Sequence, residues 1–362
     1  MTQVYNFSAG PAMIAPEVLK KAQDELLNWQ NQQTSVMEVS HRGKLFMDLI
    51  REAEQDLRNL YHIPDNYSVL FLQGGARGQF AALPMNLLRE GHKALYLISG
   101  HWSNMAAKEA RLFGEIDEIN LLDAQNPLIK VQGLDVSAIA GDYDYVHYCP
   151  NETISGVEIF DIPKVGEKGV LVGDFSSTIL SREVDISKFG VIYAGAQKNL
   201  GPAGITIVIV RNDLIGHARQ STPSIWNYEV QKNADSMINT PPTFAWYLCS
   251  LVFKHLLATG GVPAMETRNK AKAELLYNYL DNSDFYRNVV DKNNRSRMNV
   301  TFTTGNDELN TKFIAEALAN GLQALKGHKV LGGMRASIYN AMPIEGVQAL
   351  IAFMDKFAKE NA

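Results

Sequence analysis

The feature that most constrains the fold of this chain is a series of short apolar runs that alternate with helical patterns. Each run is rich in β-branched residues and is apolar throughout, which is typical of strands buried on both faces. Strands that alternate with helices predict an α/β fold with a mostly parallel sheet flanked by helices. The predicted strands lie at 67–72, 94–99, 143–148, 169–174, 191–195 and 205–211.

The pattern changes after "MINTPPT", where a smaller α+β unit is predicted. The 362 residues are enough for two cores. We therefore predict a large domain over 16–256 and a small domain over 257–362 that also includes residues 1–15. The remaining predicted elements are helices near 16–30, 44–60, 243–281 and 344–360 and strands near 297–303 and 334–340.

Charge and cysteine content narrow the possible functions. The formal net charge is −5 and no basic tract stands out, so nothing supports nucleic-acid binding. No signal peptide is predicted, and no apolar run reaches the roughly 18 residues of a membrane span. Cys149 and Cys249 form no CxxC pair and are predicted to be buried thiols. We expect a cytoplasmic protein without membrane partners, and the histidine spacing predicts no metal site.

A glycine-rich turn is the first candidate binding feature. The stretch "VLFLQGGARGQF", residues 69–80, is typical of a strand, a tight turn and the start of a helix. Its glycines let backbone N–H groups approach an anion, and the helix N-terminus attracts negative charge. The stretch matches neither GxxxxGK[ST] nor GxGxxG. By itself it fits an ordinary strand-to-helix turn as well as a phosphate site.

Two charged residues end neighbouring predicted strands, and their combination with the turn is informative. Asp174 closes "GVLVGD", and Lys198 follows "VIYAGAQ" with small residues on both sides. Alone, Asp174 could cap the next turn and Lys198 could be a solvated surface lysine. Together they match the needs of pyridoxal 5′-phosphate: an amine for its aldehyde, a carboxylate for its ring nitrogen and N–H donors for its phosphate. Trp102, at another strand-to-helix turn, offers a flat face for the ring.

Specific motifs along essentially the whole chain carry a family resemblance. They include "NFSAGPA", "TSVMEVSHRG", "GGARGQF", "HYCPNETISG", "YAGAQKNLGPAG", "NTPPTFAWY" and "GGMRASIYNAMP". With these motifs the chain resembles the phosphoserine aminotransferases, class-V enzymes with the fold-type-I pyridoxal-phosphate architecture. That architecture has a large cofactor-binding domain with a mostly parallel sheet and a smaller α+β C-terminal domain.

The resemblance implies a role for each matching position. Lys198 would be the Schiff-base lysine, Asp174 the partner of the ring nitrogen and Trp102 the stacking residue. Asn239 and Thr240 would reach the cofactor phosphate of the other subunit, which implies a homodimer with shared active sites. The remaining cofactor contacts would come from Ala76, Arg77, Thr153 and Gln197, and the substrate contacts from His41, Arg42, His328 and Arg335.

The implied reaction is reversible amino transfer between L-glutamate and 3-phosphohydroxypyruvate, giving O-phospho-L-serine and 2-oxoglutarate in serine biosynthesis. Some family members also use 3-hydroxy-2-oxo-4-phosphonooxybutanoate in pyridoxine biosynthesis. Three positions depart from the usual family residues: Ala9 replaces serine, Ala76 replaces glycine and Lys329 replaces arginine. A lysine there keeps the charge but loses the bidentate geometry of arginine.

Three alternative functions remain to be weighed. The first is another class-V aminotransferase that acts on small amino acids. The second is a cysteine desulfurase, which needs a reactive cysteine late in the chain, whereas no cysteine follows Cys249. The third is a phosphate- or nucleotide-binding module without catalysis, which would leave Lys198 and Asp174 without a role.

Overall fold

The structure is a computed structural model that describes residues 4–362. Its helices are α1 (Pro16–Glu25), α2 (Lys44–Tyr61), α3 (Gly75–Leu87), α4 (His101–Ala110), α5 (Tyr228–Asn233), α6 (Thr243–Ala258), α7 (Gly261–Asp281), α8 (Asp307–Ala319) and α9 (Ile344–Asn361). Its strands are β1 (Tyr5–Asn6), β2 (Tyr67–Leu72), β3 (Lys93–Ile98), β4 (Glu115–Asn120), β5 (Val146–Tyr148), β6 (Asn151–Glu152), β7 (Val157–Glu158), β8 (Leu171–Asp174), β9 (Val191–Gly195), β10 (Thr206–Arg211), β11 (Asn299–Phe302), β12 (Leu322–Gln323) and β13 (Met334–Ser337).

The centre of the fold is a seven-stranded sheet with the order β2-β10-β9-β8-β5-β3-β4. Strand β10 runs antiparallel to both of its neighbours, and the other pairings in the sheet are parallel. The prediction of a mostly parallel sheet is therefore confirmed. Because the parallel strands share one direction, their carboxyl ends meet along one edge of the sheet, where ligands bind in folds of this kind.

The apolar runs are explained by cores on both faces of the sheet. In β2, Val69 and Phe71 pack into one core while Leu70 and Leu72 pack into the other. The first core also contains residues of α1, α2 and α6, and the second contains residues of α3 and α4. Since both faces are covered, every position of such a strand is apolar rather than every second one.

A separate core forms in the last third of the chain. It includes residues of α7, α8, α9, β11 and β13, and Tyr5 and Phe7 pack into it. Strand β1 pairs in parallel with β12, so the N-terminal segment contacts this region. The predicted division at residues 256 and 257 stays a prediction, and residues 1–3 of the predicted small domain lie outside the described residues.

Some predicted elements differ in their bounds. The helix predicted over 16–30 ends at Glu25, and the helical region over 243–281 consists of α6 and α7, which are bent by 84° at Gly260. Gly260 has a φ of 99°, which an α-helix does not contain. No single helix within residues 4–362 is long and apolar enough to cross a membrane; only the bent pair meets that test by length and composition.

Five strands were absent from the prediction: β4, the hairpin of β6 and β7, and the two-residue strands β1 and β12. Strand β4 is a sheet edge with the sequence "EIDEIN", so its charged, partly exposed residues do not form an apolar run. Strands β6 and β7 form a hairpin of two residues each, which is too short for any periodic pattern. This hairpin lies beside the candidate site.

Candidate active site

The candidate active site lies at the carboxyl edge of the sheet, beyond the ends of β8 and β9. A cavity of about 470 Å³ opens there. It brings together most of the residues that the sequence analysis singled out. Its lining includes Ala76, Arg77, Trp102, Thr153, Asp174, Gln197, Lys198, His328 and Arg335.

The turn between β2 and α3 forms one wall of this cavity. Gly74 has a φ of 90°, and α3 begins at Gly75 without a side-chain cap. Within residues 4–362, no acceptor contacts the backbone N–H groups of Gly75, Ala76 and Arg77. Ala76 lies in the helix and has no positive φ, so alanine fits at that position. Free N–H groups at the positive end of a helix dipole can bind a phosphate.

Lys198 lies in the turn that follows β9. Its Nζ donates a hydrogen bond to the hydroxyl of Thr153 at 2.7 Å. Burial lowers the pKa of Lys198 to about 8, and the negative charge of Asp174 opposes that shift. A lysine with this pKa has a substantial neutral fraction at mildly alkaline pH, so it can act as a nucleophile and as a base.

Asp174 is the last residue of β8 and is only 6% exposed. Its Oδ1 accepts a hydrogen bond from the backbone N–H of Ser176 at 2.9 Å. Burial raises the pKa of Asp174, while the Ser176 hydrogen bonds and the charge of Lys198 oppose the rise. The site therefore holds a buried carboxyl whose ionised form is favoured by a positive partner.

Trp102 provides a flat part of the cavity wall from the first turn of α4. The guanidinium carbon of Arg77 lies 6.0 Å from its ring centroid, and the ring of His101 lies edge-on at 5.2 Å. Its backbone N–H donates to the carboxylate of Glu152 at 2.9 Å. An indole fixed through its backbone beside the cavity can stack on a planar ligand.

The side chains of Arg335 and His328 reach the cavity from the segment that contains β13. Arg335, on β13, donates from Nη1 to the backbone carbonyl of Thr153 at 3.2 Å, and burial lowers its pKa. His328 accepts a hydrogen bond at Nδ1 from the backbone N–H of Val330 at 3.3 Å. Burial and the charge of Arg335 lower the pKa of His328. The neutral ring therefore carries its proton on Nε2, from which it can donate to an anion.

Four of the predicted site residues do not line the cavity of their own chain. His41 and Arg42 lie in the turn before α2, and Asn239 and Thr240 lie in the segment before α6. Asn239 accepts a hydrogen bond from Nε2 of Gln73 at 3.4 Å, near the α3 turn. The roles of these four residues stay predictions.

The sequence analysis missed several polar side chains: Asn151, Ser176 and Ser177 line the cavity, and Glu152 and Tyr339 lie beside it. Glu152 is fully buried next to Trp102. The hydroxyl of Tyr339 donates to the carbonyl of Ala9 at 2.9 Å and accepts from Nδ2 of Asn299 at 3.1 Å. The polar residues directly after the apolar run at 143–148 were a signal for Glu152. Nothing local marks Tyr339, because its partners come from distant parts of the chain.

Comparison with known proteins agrees with this geometry. The class-V aminotransferase family profile matches residues 4–350. The phosphoserine aminotransferase of Pasteurella multocida (strain Pm70) is 75% identical over 361 residues, which cover 100% of each chain. The structure of the phosphoserine aminotransferase from Bacillus circulans subsp. alkalophilus superposes with a TM-score of 0.92 at 41% identity over 99% of each chain.

A further solved structure contains the cofactor. The pyridoxal-phosphate-bound phosphoserine aminotransferase from Trichomonas vaginalis has a TM-score of 0.89 and 37% identity, over 98% of this chain and 100% of that one. The predicted fold class, with its mostly parallel sheet, is confirmed by these structures. The chain thus belongs to the phosphoserine aminotransferase family of class-V aminotransferases, enzymes that work with pyridoxal phosphate.

Proposed function

We propose that this chain catalyses reversible amino transfer between L-glutamate and 3-phosphohydroxypyruvate, giving O-phospho-L-serine and 2-oxoglutarate. One observation carries the proposal. The amine of Lys198, the carboxyl of Asp174 and the free N–H groups of the α3 turn line a single cavity in a chain that is 75% identical to a phosphoserine aminotransferase. We propose 3-hydroxy-2-oxo-4-phosphonooxybutanoate as a second substrate, on the basis of the family resemblance alone.

The residues present fit pyridoxal phosphate. The three free N–H groups at the start of α3 would hold its phosphate, and Trp102 would stack on its ring. Asp174 would pair with its ring nitrogen and Lys198 would bind its aldehyde. When bound, the cofactor supplies an electron sink for the charge that develops at the substrate's α-carbon.

The protein's own residues then account for proton transfer. Asp174 would hold a proton on the ring nitrogen through charge pairing. Nζ of Lys198 would remove the proton from the substrate's α-carbon, since its lowered pKa makes it an effective base. The hydroxyl of Thr153 orients that amine through a 2.7 Å hydrogen bond.

The cationic side chains support selection of an anionic substrate. Arg335 would bind the α-carboxylate that every substrate carries, because a guanidinium matches a carboxylate in a bidentate way. His328, with Nε2 as donor, would bind the phosphate. A phosphorylated oxo acid therefore gains a contact that an unphosphorylated one lacks.

We also propose that two copies of the chain share their active sites. Asn239 and Thr240 are exposed and lie outside the cavity of their own chain. The family resemblance implies that they contact the cofactor bound by the partner subunit. His41 and Arg42 also need a second copy to act in a site. Mixing a Lys198→Ala chain with an Asn239→Ala, Thr240→Ala chain should restore part of the activity, because every heterodimer would contain one site with both defects and one intact site. No recovery after demonstrated subunit exchange would contradict the shared site.

The proposed location is the cytoplasm. The thiols of Cys149 and Cys249 are free and buried, which supports a reducing compartment.

Amino-acceptor profiling with glutamate as donor tests the proposed reaction. We expect kcat/KM for 3-phosphohydroxypyruvate to exceed that for hydroxypyruvate by about ten- to a hundredfold, since a hydrogen bond to a charged group is worth about 1.5–3 kcal/mol. His328→Ala should weaken the phosphohydroxypyruvate half-reaction by about 1–3 kcal/mol and leave the glutamate half-reaction nearly unchanged. Arg335→Ala is the matched control and should impair both half-reactions, because every substrate carries the α-carboxylate. Equal use of the two acceptors would favour another class-V aminotransferase of small amino acids.

A further inference from the structure

The carboxyl group of Glu152 is buried beside the site, and none of the roles above uses it. Glu152 is on β6 and has no exposed surface. Its Oε2 accepts a hydrogen bond from the backbone N–H of Trp102 at 2.9 Å. Its Oε1 accepts from the backbone N–H of Ser103 at 2.9 Å and from the Ser103 hydroxyl at 2.7 Å.

The hydrogen bonds around Ser103 indicate where its hydroxyl proton lies. The backbone N–H groups of Ser99 and Gly100 both donate to this hydroxyl, at 3.0 and 3.1 Å. The single hydroxyl proton can go to Glu152 at 2.7 Å or to the carbonyl of Gly100 at 3.1 Å, and the shorter contact is to Glu152. The carboxylate of Glu152 thus meets three donors at the positive end of α4, an arrangement that suits its ionised form.

The residue that follows this short strand contacts the lysine. Thr153, the next residue, accepts a hydrogen bond from Lys198 at its hydroxyl and one from Arg335 at its carbonyl. The side chain of Glu152 therefore contacts the first turn of α4, and the adjacent Thr153 contacts Lys198 and Arg335. A single peptide bond between residues 152 and 153 links the contacts of Trp102 to those of Lys198.

We infer that Glu152 is a positioning residue. Its carboxylate fixes the first turn of α4 and so holds the ring of Trp102 at a fixed position relative to the amine of Lys198. This inference rests on the proposed cofactor site for its binding test, although its exchange test is independent of that site. Glutamine cannot replace the glutamate, because an amide offers one acceptor oxygen and turns its NH2 group toward a donor.

The first test is a double-mutant cycle on the affinity of the full-length apoprotein for pyridoxal phosphate, followed by visible absorbance. Glu152→Gln should weaken binding about tenfold, the effect of one lost hydrogen bond to a charged group. In a Trp102→Ala background the same change should weaken binding less than about twofold, because the ring it positions is absent. Equal losses in both backgrounds would overturn the inference.

Controls separate positioning from general damage to the fold. Glu109→Gln makes the same substitution in the last turn of the same helix, and it should leave cofactor affinity unchanged. If Glu152→Gln does not fold, Ser103→Ala removes one of the three donors to Glu152, together with the acceptor of the Ser99 and Gly100 N–H groups, and should weaken binding about threefold. Binding by Ser103→Ala with the affinity of the parent protein would then count against the inference.

Amide hydrogen exchange of the parent apoprotein gives a readout that needs no variant. The N–H groups of Trp102 and Ser103 should exchange slowly, since Glu152 accepts from both, whereas those of Ala76 and Arg77 should exchange fast. Adding pyridoxal phosphate should slow exchange at Ala76 and Arg77. Fast exchange at Trp102 and Ser103 would overturn the inference, while unchanged exchange at Ala76 and Arg77 would instead contradict the proposed phosphate site.

Discussion

Two strand-to-helix turns of this molecule have the same architecture but differ in what their backbone N–H groups contact. The α3 turn follows β2 and the α4 turn follows β3, and both helices pack against the same face of the sheet. At the α3 turn, the N–H groups of residues 75–77 have no acceptor within the described part of the chain. At the α4 turn, the carboxylate of Glu152 accepts from the N–H groups of residues 102 and 103.

The difference shows how one site can contain two helix N-termini and offer only one of them to an anion. Both turns would attract a phosphate through free N–H groups and the helix dipole. An internal carboxylate at α4 satisfies its donors and cancels part of its positive potential. In the proposed site, the α3 turn would then bind the phosphate through its free N–H groups, while the α4 turn would present the ring of Trp102.

The largest expected effect concerns the glycine that opens the α3 turn. Gly74 has a φ of 90°, and a Cβ atom there would lie 2.7 Å from Cη2 of Trp226. Gly74→Ala should therefore weaken pyridoxal phosphate binding by at least about a hundredfold, since strained backbone and overpacking each cost about 1–3 kcal/mol. Titration of the apoprotein measures the loss.

A neighbouring glycine provides the control for that variant. A Cβ atom on Gly75 would have nothing within 4 Å, although its φ is 66°. Gly75→Ala should lose only about 1–2 kcal/mol of the free energy of cofactor binding, because alanine is strained in the left-handed backbone conformation. Equal losses for Gly74→Ala and Gly75→Ala would show that the contact with Trp226 does not shape the turn.

The corresponding glycine of the α4 turn should have a smaller effect with a different cause. Gly100 has extended backbone, but a Cβ atom there would lie 2.6 Å from Cδ of Glu152. Gly100→Ala should displace the carboxylate and weaken cofactor binding about tenfold, the effect of losing a charge-assisted hydrogen bond. In a Glu152→Ala background the added methyl group has room, so the cost should largely disappear. An undiminished cost in that background would mean that the methyl group acts through another contact.

The sequence predicted the parts of this site that lie at the ends of long buried strands. Asp174 and Lys198 follow apolar runs, and the glycines of the α3 turn have a recognisable pattern, so each could be placed at the edge of the sheet. Most of the sheet was predictable because cores on both of its faces make its inner strands largely apolar, whereas the charged edge strand β4 was not.

The rest of the site depends on contacts between distant residues. Glu152 belongs to a hairpin with two residues in each strand. Strands this short show no hydrophobic periodicity in the sequence. Its function depends on the first turn of α4, about fifty residues earlier in the chain. Tyr339 likewise contacts Ala9, whose position in space no local pattern predicts. His41 and Asn239 do not line the cavity of their own chain, and only the family resemblance implies a site for them.

The smallest expected effect concerns Arg77, the residue that links the two turns. Its backbone N–H belongs to the α3 turn, whereas its exposed guanidinium lies 6.0 Å from the ring of Trp102. Arg77→Met keeps the backbone donor and removes only a solvated cation–π contact, which is worth about 0.5–1 kcal/mol at exposed sites. Cofactor affinity should therefore fall less than about fivefold, and its dependence on salt concentration should not change. A loss of about a hundredfold that shrinks at high salt would mean that the side chain binds the phosphate directly. The contrast between the α3 turn, which acts through backbone N–H groups, and the α4 turn, which acts through the Trp102 side chain, would then no longer hold.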